Sequence, residues 1–237
     1  MGVNLIIIGN HSMPFKNKEI ESKSQIVDLL NSLKLEESEF LIEKRKIWNS
    51  AHLYNDWGEG FRKKNEEELE RSLKIHSWNF GNYWNIEDSE DDYCTDSKHY
   101  YLEGPYGLDL EINKYFLEIS IWVNRYYQWF NISKDFDVLW REKWRLIVFE
   151  IINILGGDYV MYFPDTSIYL PRNYCFPTEM EEYFKTGIKD LDQVVELISE
   201  KHSKPLTLAE ADKMFETSDE DLFVIDRFDD IDKTLKI

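Results

Sequence analysis

The chain has 237 residues and carries 46 acidic against 28 basic side chains, which gives a net charge of -18. This acidic excess disfavours unaided binding to DNA, RNA or anionic lipid, because each of these ligands requires clustered cations on the protein. Hydrophobic residues at 43% and aromatic residues at 15% are sufficient for a large core and exclude wholesale disorder.

The cysteine content and the N-terminus bear on the cellular compartment. Cys94 and Cys175 are the only cysteines, too few for a disulfide framework. The apolar run 5–8 is too short for a signal sequence or a membrane span. We therefore expect a cytoplasmic protein with free thiols and no membrane association.

The first third of the chain predicts a strand, a helix and a weaker strand. Residues 3–8 are continuously apolar and β-branched, which is typical of a strand buried at the centre of a sheet. Ser22 and Gln25 have capping-box spacing, and apolar residues at helical intervals then predict an amphipathic helix over 23–35. Residues 40–42 are expected to begin a second strand.

The segment 48–106 lacks sustained periodicity and is predicted to be a long insertion. Its densest charge run, at 87–92, is typical of a solvated loop. The stretch 76–85 mixes large rings with amides, a combination that suits stacking on a ligand or a protein-binding hot spot. The same rings also suit a small core beneath the insertion, and the pattern leaves both interpretations open.

The clearest local signal is a β-hairpin. Residues 108–112 and 115–121 alternate between apolar and polar side chains, and the pair 113–114 supplies a two-residue turn. This register makes one face wholly apolar and sets Asp109 opposite Glu118 on the other face.

The remaining elements complete a predicted α+β domain spanning 1–237. A broad apolar stripe predicts a long helix over 136–155, and 159–163 is expected to form a strand. The order β-α-β-β-α-β is that of a ferredoxin-like core with an antiparallel or mixed sheet and helices on one face. A largely helical extension over about 174–237 is predicted to end in a strand near 222–225.

No segment carries a recognisable catalytic or cofactor motif. His11 and Ser12 follow the first strand, while Asp165 and Ser167 follow the last predicted core strand. Antiparallel first and last strands would keep these groups apart, which argues against a catalytic triad. The mixed metal-ligand types between 92 and 99 match no familiar site. We expect no cofactor, no metal and no catalytic residue.

Acidic charge without catalytic chemistry favours recognition over catalysis. We predict a non-enzymatic cytoplasmic binding protein that captures a basic protein partner, such as an immunity or antitoxin-like factor that occludes a toxin. No family motif supports a more specific assignment. The predicted contact residues are Trp78, Phe80, Trp84, Glu87, Asp88, Glu90, Asp91, Asp92, Asp109, Glu111 and Glu118.

Two alternatives remain. The first is a small-molecule or glycan binding or hydrolysing domain whose pocket is built by 48–106, and the second is a structural or regulatory subunit with a large apolar patch. The candidate pocket residues of the first alternative are His52, Asp56, His76, Trp78 and Trp84.

Overall fold

The computed structural model describes most of the predicted core, together with parts of the predicted insertion and of the predicted C-terminal extension. The described ranges are 5–16, 19–45, 76–81, 100–121, 129–130, 137–164, 206–214 and 224–237.

These ranges contain ten strands and four helices. The strands are β1 (Leu5–Gly9), β2 (Phe15–Lys16), β3 (Glu19–Ile20), β4 (Asn79–Phe80), β5 (Tyr100–Glu103), β6 (Asp109–Ile112), β7 (Leu117–Ser120), β8 (Val160–Pro164), β9 (Leu206–Thr207) and β10 (Val224–Asp226). The helices are α1 (Lys23–Asn31), α2 (39–45), α3 (Val138–Ile154) and α4 (Leu208–Met214).

Eight of the strands form one mixed sheet in the order β4-β5-β6-β7-β1-β8-β10-β9. Neighbouring strands are antiparallel except for β9 and β10, which are parallel. β2 and β3 pair separately. The protein is therefore an α+β protein with a mostly antiparallel sheet. This agrees with the fold class and the sheet type predicted from the sequence.

The predicted central position of β1 is confirmed. Ile7 lies opposite Ile119 of β7 on one side and opposite Tyr162 of β8 on the other. A strand with neighbours on both sides and packing on both faces needs the continuous apolar run seen here. Ile8 and its partner Met161 are also buried, although they lie on the face opposite Ile7.

A single core lies between one sheet face and the helices. Full burial of each Leu, Ile or aromatic side chain contributes about 1.5–3 kcal/mol, so this layer supplies most of the stability. Its members include Ile7, Ile26, Leu30, Phe40, Leu41, Leu110, Ile112, Leu117, Ile119, Trp144, Ile147, Val148, Ile151, Tyr162 and Val224.

The helix ends follow local capping chemistry. The Ser22 hydroxyl accepts a hydrogen bond from the backbone N–H of Gln25, which begins α1 where the sequence predicts it. Asp137 caps α3 in the same way through the N–H of Trp140. Just after α3, Gly156 has φ of 78°, the left-handed conformation that glycine adopts without steric cost.

The prediction of a strand at 40–42 is wrong. Ser38 accepts from the Leu41 N–H through its side chain and from the Ile42 N–H through its carbonyl, so the segment begins α2. Phe40 and Leu41 are both buried against the core. A short apolar run without clear periodicity does not distinguish a strand from a buried helix, which explains the error.

The hairpin is confirmed, but its predicted register is wrong by two residues. The backbone N–H of Asn113 donates to the carbonyl of Phe116, so the turn residues are Lys114 and Tyr115. The buried Asn113 side chain accepts from the N–H groups of Tyr115 and Phe116 and fixes the turn there. A two-residue shift keeps every side chain on its predicted face, but Glu118 now lies opposite Glu111 and not opposite Asp109.

Four strands outside the predicted core extend the sheet. β5 pairs with β6 and β4 pairs with β5, and both fall in the predicted insertion. On the other side, β10 pairs with β8 and β9 pairs with β10. β10 lies close to the predicted closing strand. No helix in the described ranges is long and apolar enough to cross a membrane.

A buried charge network joins α3 to the C-terminal strand. The Arg145 guanidinium donates to both carboxylate oxygens of Asp226 at 2.7 and 2.9 Å, and further to Glu142 and Asp230. The Tyr162 hydroxyl donates to the same Asp226 at 3.0 Å. Burial opposes the charge of Arg145, but the Asp226 hydrogen bonds and charge outweigh it and raise the pKa of Arg145 above its ordinary value.

We predict that R145M lowers the free energy of unfolding by about 3–5 kcal/mol, because it leaves the Asp226 carboxylate buried without its cation. The double variant R145M/D226N removes that charge but keeps an acceptor for Tyr162, and should recover about 1–2 kcal/mol. Urea denaturation measures both. A double variant no more stable than R145M would show that Asp226 is not the group left uncompensated.

Candidate partner-binding face of the sheet

The strands β5, β6 and β7 place their acidic side chains on one face of the sheet. Successive side chains of a strand alternate between faces, and Leu102, Leu110 and Ile119 occupy the face that packs on the helices. The intervening carboxylates therefore lie on the opposite face. We call Glu103, Asp109, Glu111 and Glu118 the acidic face.

The acidic face opposes like charges directly across neighbouring strands. Glu103 pairs with Asp109, and Glu111 pairs with Glu118. Like charges in these positions destabilise a sheet, typically by a few tenths to about 1 kcal/mol per pair. All four side chains are partly exposed. Folding therefore brings together charges that repel one another and remain within reach of solvent.

Asp109 of the acidic face has a perturbed carboxyl group. Burial raises its pKa to about 6, and the nearby charge of Glu103 contributes in the same direction. A hydrogen bond from Tyr101 and the positive charge of Arg45 act against this shift without cancelling it. The ionised form of Asp109, which predominates at neutral pH, is thus destabilised in the folded protein.

Sequence reasoning identified three of the four carboxylates and missed their surroundings. Tyr101 and Glu103 lie on β5, a short strand within the predicted insertion, where the alternation extends over too few residues to be recognised. Arg45, at the end of the described part of α2, is buried, and burial lowers its pKa to about 10. Its proximity to Asp109 is a tertiary effect without a local sequence signal.

The two described aromatic candidates lie on the helix side of the sheet, away from the acidic face. Trp78 is 1% exposed and packs against Gly104, where an added Cβ would come within 2.7 Å of the indole ring. Phe80 is half-buried against the ring of Tyr100. The burial of Trp78 agrees with the alternative that this ring fills a core.

The other predicted contact residues lie outside the described ranges, and their role stays a prediction. They are Trp84, Glu87, Asp88, Glu90, Asp91 and Asp92. The same applies to His52 and Asp56 of the pocket hypothesis.

His11 has a structural role in the loop after β1. Its Nε2 lies 2.8 Å from the Asn113 carbonyl, and its Nδ1 accepts from the backbone N–H of Met13. These two bonds define a neutral imidazole, and burial lowers the pKa of His11 accordingly. β1 and β8 are antiparallel, as the argument against a triad requires.

Within the described ranges, no group of three or more potential ligands has the geometry to hold a metal ion. The acidic face presents negatively charged carboxylate groups, which are hydrogen-bond acceptors. The chain matches no protein-family model, no curated protein and no solved structure.

We predict that D109N stabilises the protein at neutral pH and has a smaller effect in acid. The folded pKa of Asp109, about 6, exceeds the unfolded value of about 3.9, so Asp109 makes stability fall as pH rises between these values. Asparagine removes that fall and still accepts a hydrogen bond from Tyr101. The expected gain is up to about 2 kcal/mol at about pH 7.5 and close to none at about pH 4.

Chemical denaturation at the two pH values measures this difference. D28N, on the exposed surface of α1, is the control for the loss of one negative charge. Equal effects of D109N at both pH values would contradict the raised pKa.

Proposed function

We propose that the protein binds a basic protein partner through the acidic face and acts by occluding that partner. The observation that carries the proposal is the destabilised carboxylate of Asp109, set directly opposite Glu103 on a partly exposed sheet face. Groups with perturbed pKa values cluster at functional sites. An immunity or antitoxin-like factor directed against a basic toxin is the class of protein that this chemistry fits best.

The electrostatic contribution to the binding of a cationic partner is largest where the protein has a surplus of negative charge. Lysine or arginine side chains of the partner would form charge-assisted hydrogen bonds with the partly exposed carboxylates of this face. Such charges also accelerate association, because opposite potentials steer the encounter. The net charge of -18 extends the attraction beyond the acidic face.

The alternative of a glycan or small-molecule pocket in 48–106 is less well supported. Trp78, one of its stacking candidates, lies in the core, and His52 and Asp56 fall outside the described ranges.

At the level of the fold, we propose a ferredoxin-like core inside the larger sheet. The order and antiparallel pairing of β6-β7-β1-β8, with α1 and α3 as the connecting helices, support this proposal. β4, β5, β9 and β10 would then be additions to the core.

We predict that the variant E103Q/D109N/E111Q/E118Q has a lower affinity for the partner than the wild type. The tagged wild-type protein is used to capture proteins from a lysate of the native host, and the bound partner is identified by mass spectrometry and purified. The variant should bind it at least about tenfold more weakly, and wild-type affinity should fall between about 50 mM and about 500 mM NaCl because salt screens the attraction.

The matched control is E21Q/D28N/E39Q/E43Q, which removes the same number of negative charges from exposed positions. These positions lie just before α1, on α1 and on α2. It should retain nearly wild-type affinity. Equal losses in the two variants would assign binding to net charge alone, and an unchanged affinity of the acidic-face variant would exclude this face as the interface.

A further inference from the structure

A partly open cavity of about 350 Å³ lies beside the C-terminal strand, at the opposite end of the sheet from the acidic face. It is lined by the start of α4 with β9, by β10 and by the turn 227–230 that follows. Its volume falls at the lower end of the range for small-molecule sites, which runs from about 300 to about 1,000 Å³.

The cavity combines apolar and charged groups. Leu206, Leu208, Ile225 and Phe228 supply apolar lining. The buried guanidinium of Arg145 is also part of the lining. A ligand with an apolar body and one charged end matches such a surface.

The charge of that end follows from the bonds of Arg145. Its Nε and Nη2 donate to Asp226, Nη2 also donates to Asp230, and Nη1 donates to Glu142. A single positive charge thus contacts three carboxylates. A ligand anion would have to displace one of them from the guanidinium, so the site disfavours anions.

The rim adds further negative charge. Asp230 is 75% exposed and uses one carboxylate oxygen, Oδ1, on Arg145. Asp229, next to it, is exposed and makes no hydrogen bond or ion pair within the described ranges. The other cation of the lining, Arg227, has its guanidinium carbon 5.5 Å from the centre of the Tyr159 ring. The rim therefore presents carboxylate oxygens to a cation.

We propose that this cavity binds a small organic cation, with an apolar body against Leu208 and Phe228 and an ammonium group at Asp229 and Asp230. The proposal is independent of the partner-binding function, because it uses none of the residues of the acidic face.

Three probes of similar shape test the sign of the charge: phenethylamine, phenethyl alcohol and hydrocinnamate. Titration of the full chain, followed by two-dimensional NMR, should show phenethylamine binding with a dissociation constant of about 1 mM or below. The shifted resonances should belong to Leu206–Ala209 and Ile225–Asp230. The alcohol should bind at least about tenfold more weakly, and the carboxylate should not bind.

The variant D229N/D230N should lower the affinity for phenethylamine about tenfold. Its fold should persist, because Arg145 keeps its bonds to Asp226 and Glu142. D28N, on α1, should bind like the wild type. Equal binding of amine and alcohol, absence of amine binding, or shifts confined to β5–β7 would each overturn the proposal.

Discussion

The burial of alternate residues in the hairpin determines where the acidic side chains of β6 and β7 lie. Leu110, Ile112 and Leu117 must face the helices, because they form part of the one core that the sheet and helices share. Strand geometry then places Asp109 and Glu111 on the other face. A slip of one residue would expose the whole apolar set, so the location of the carboxylates is as firmly fixed as the core itself.

The protein treats buried charge in two different ways. Around Arg145, each carboxylate meets a donor, and Asp226 accepts from the guanidinium, from Tyr162 and from the Phe228 N–H. This network joins α3 to β10 and stabilises the folded structure. On the acidic face, carboxylates are opposed to one another and Asp109 remains destabilised when ionised. The raised pKa of Asp109 thus marks a carboxylate whose negative charge is only partly compensated in the folded protein.

Much of the fold followed from local signals in the sequence. The apolar run of β1, the Ser22 cap and the glycine after α3 each correspond to a boundary set by local chemistry. The hairpin register did not, because the choice between two adjacent turns depends on the buried Asn113 side chain. Part of the candidate site followed from alternation in the hairpin. Glu103 and Arg45 were beyond reach, since their nearness to Asp109 arises only when β5 and α2 pack.

The most direct test of the destabilised carboxylate on the acidic face is the pKa of Asp109 in the free protein. Carbon-13 labelling of aspartate, with assignment by the D109N spectrum, allows the carboxyl resonance to be followed through a pH titration. We expect a midpoint at about 6, which falls toward the ordinary value of about 3.9 when a cationic partner is bound. A midpoint at or below about 4 in the free protein would contradict the account, because Asp109 would then impose no cost for a partner to relieve.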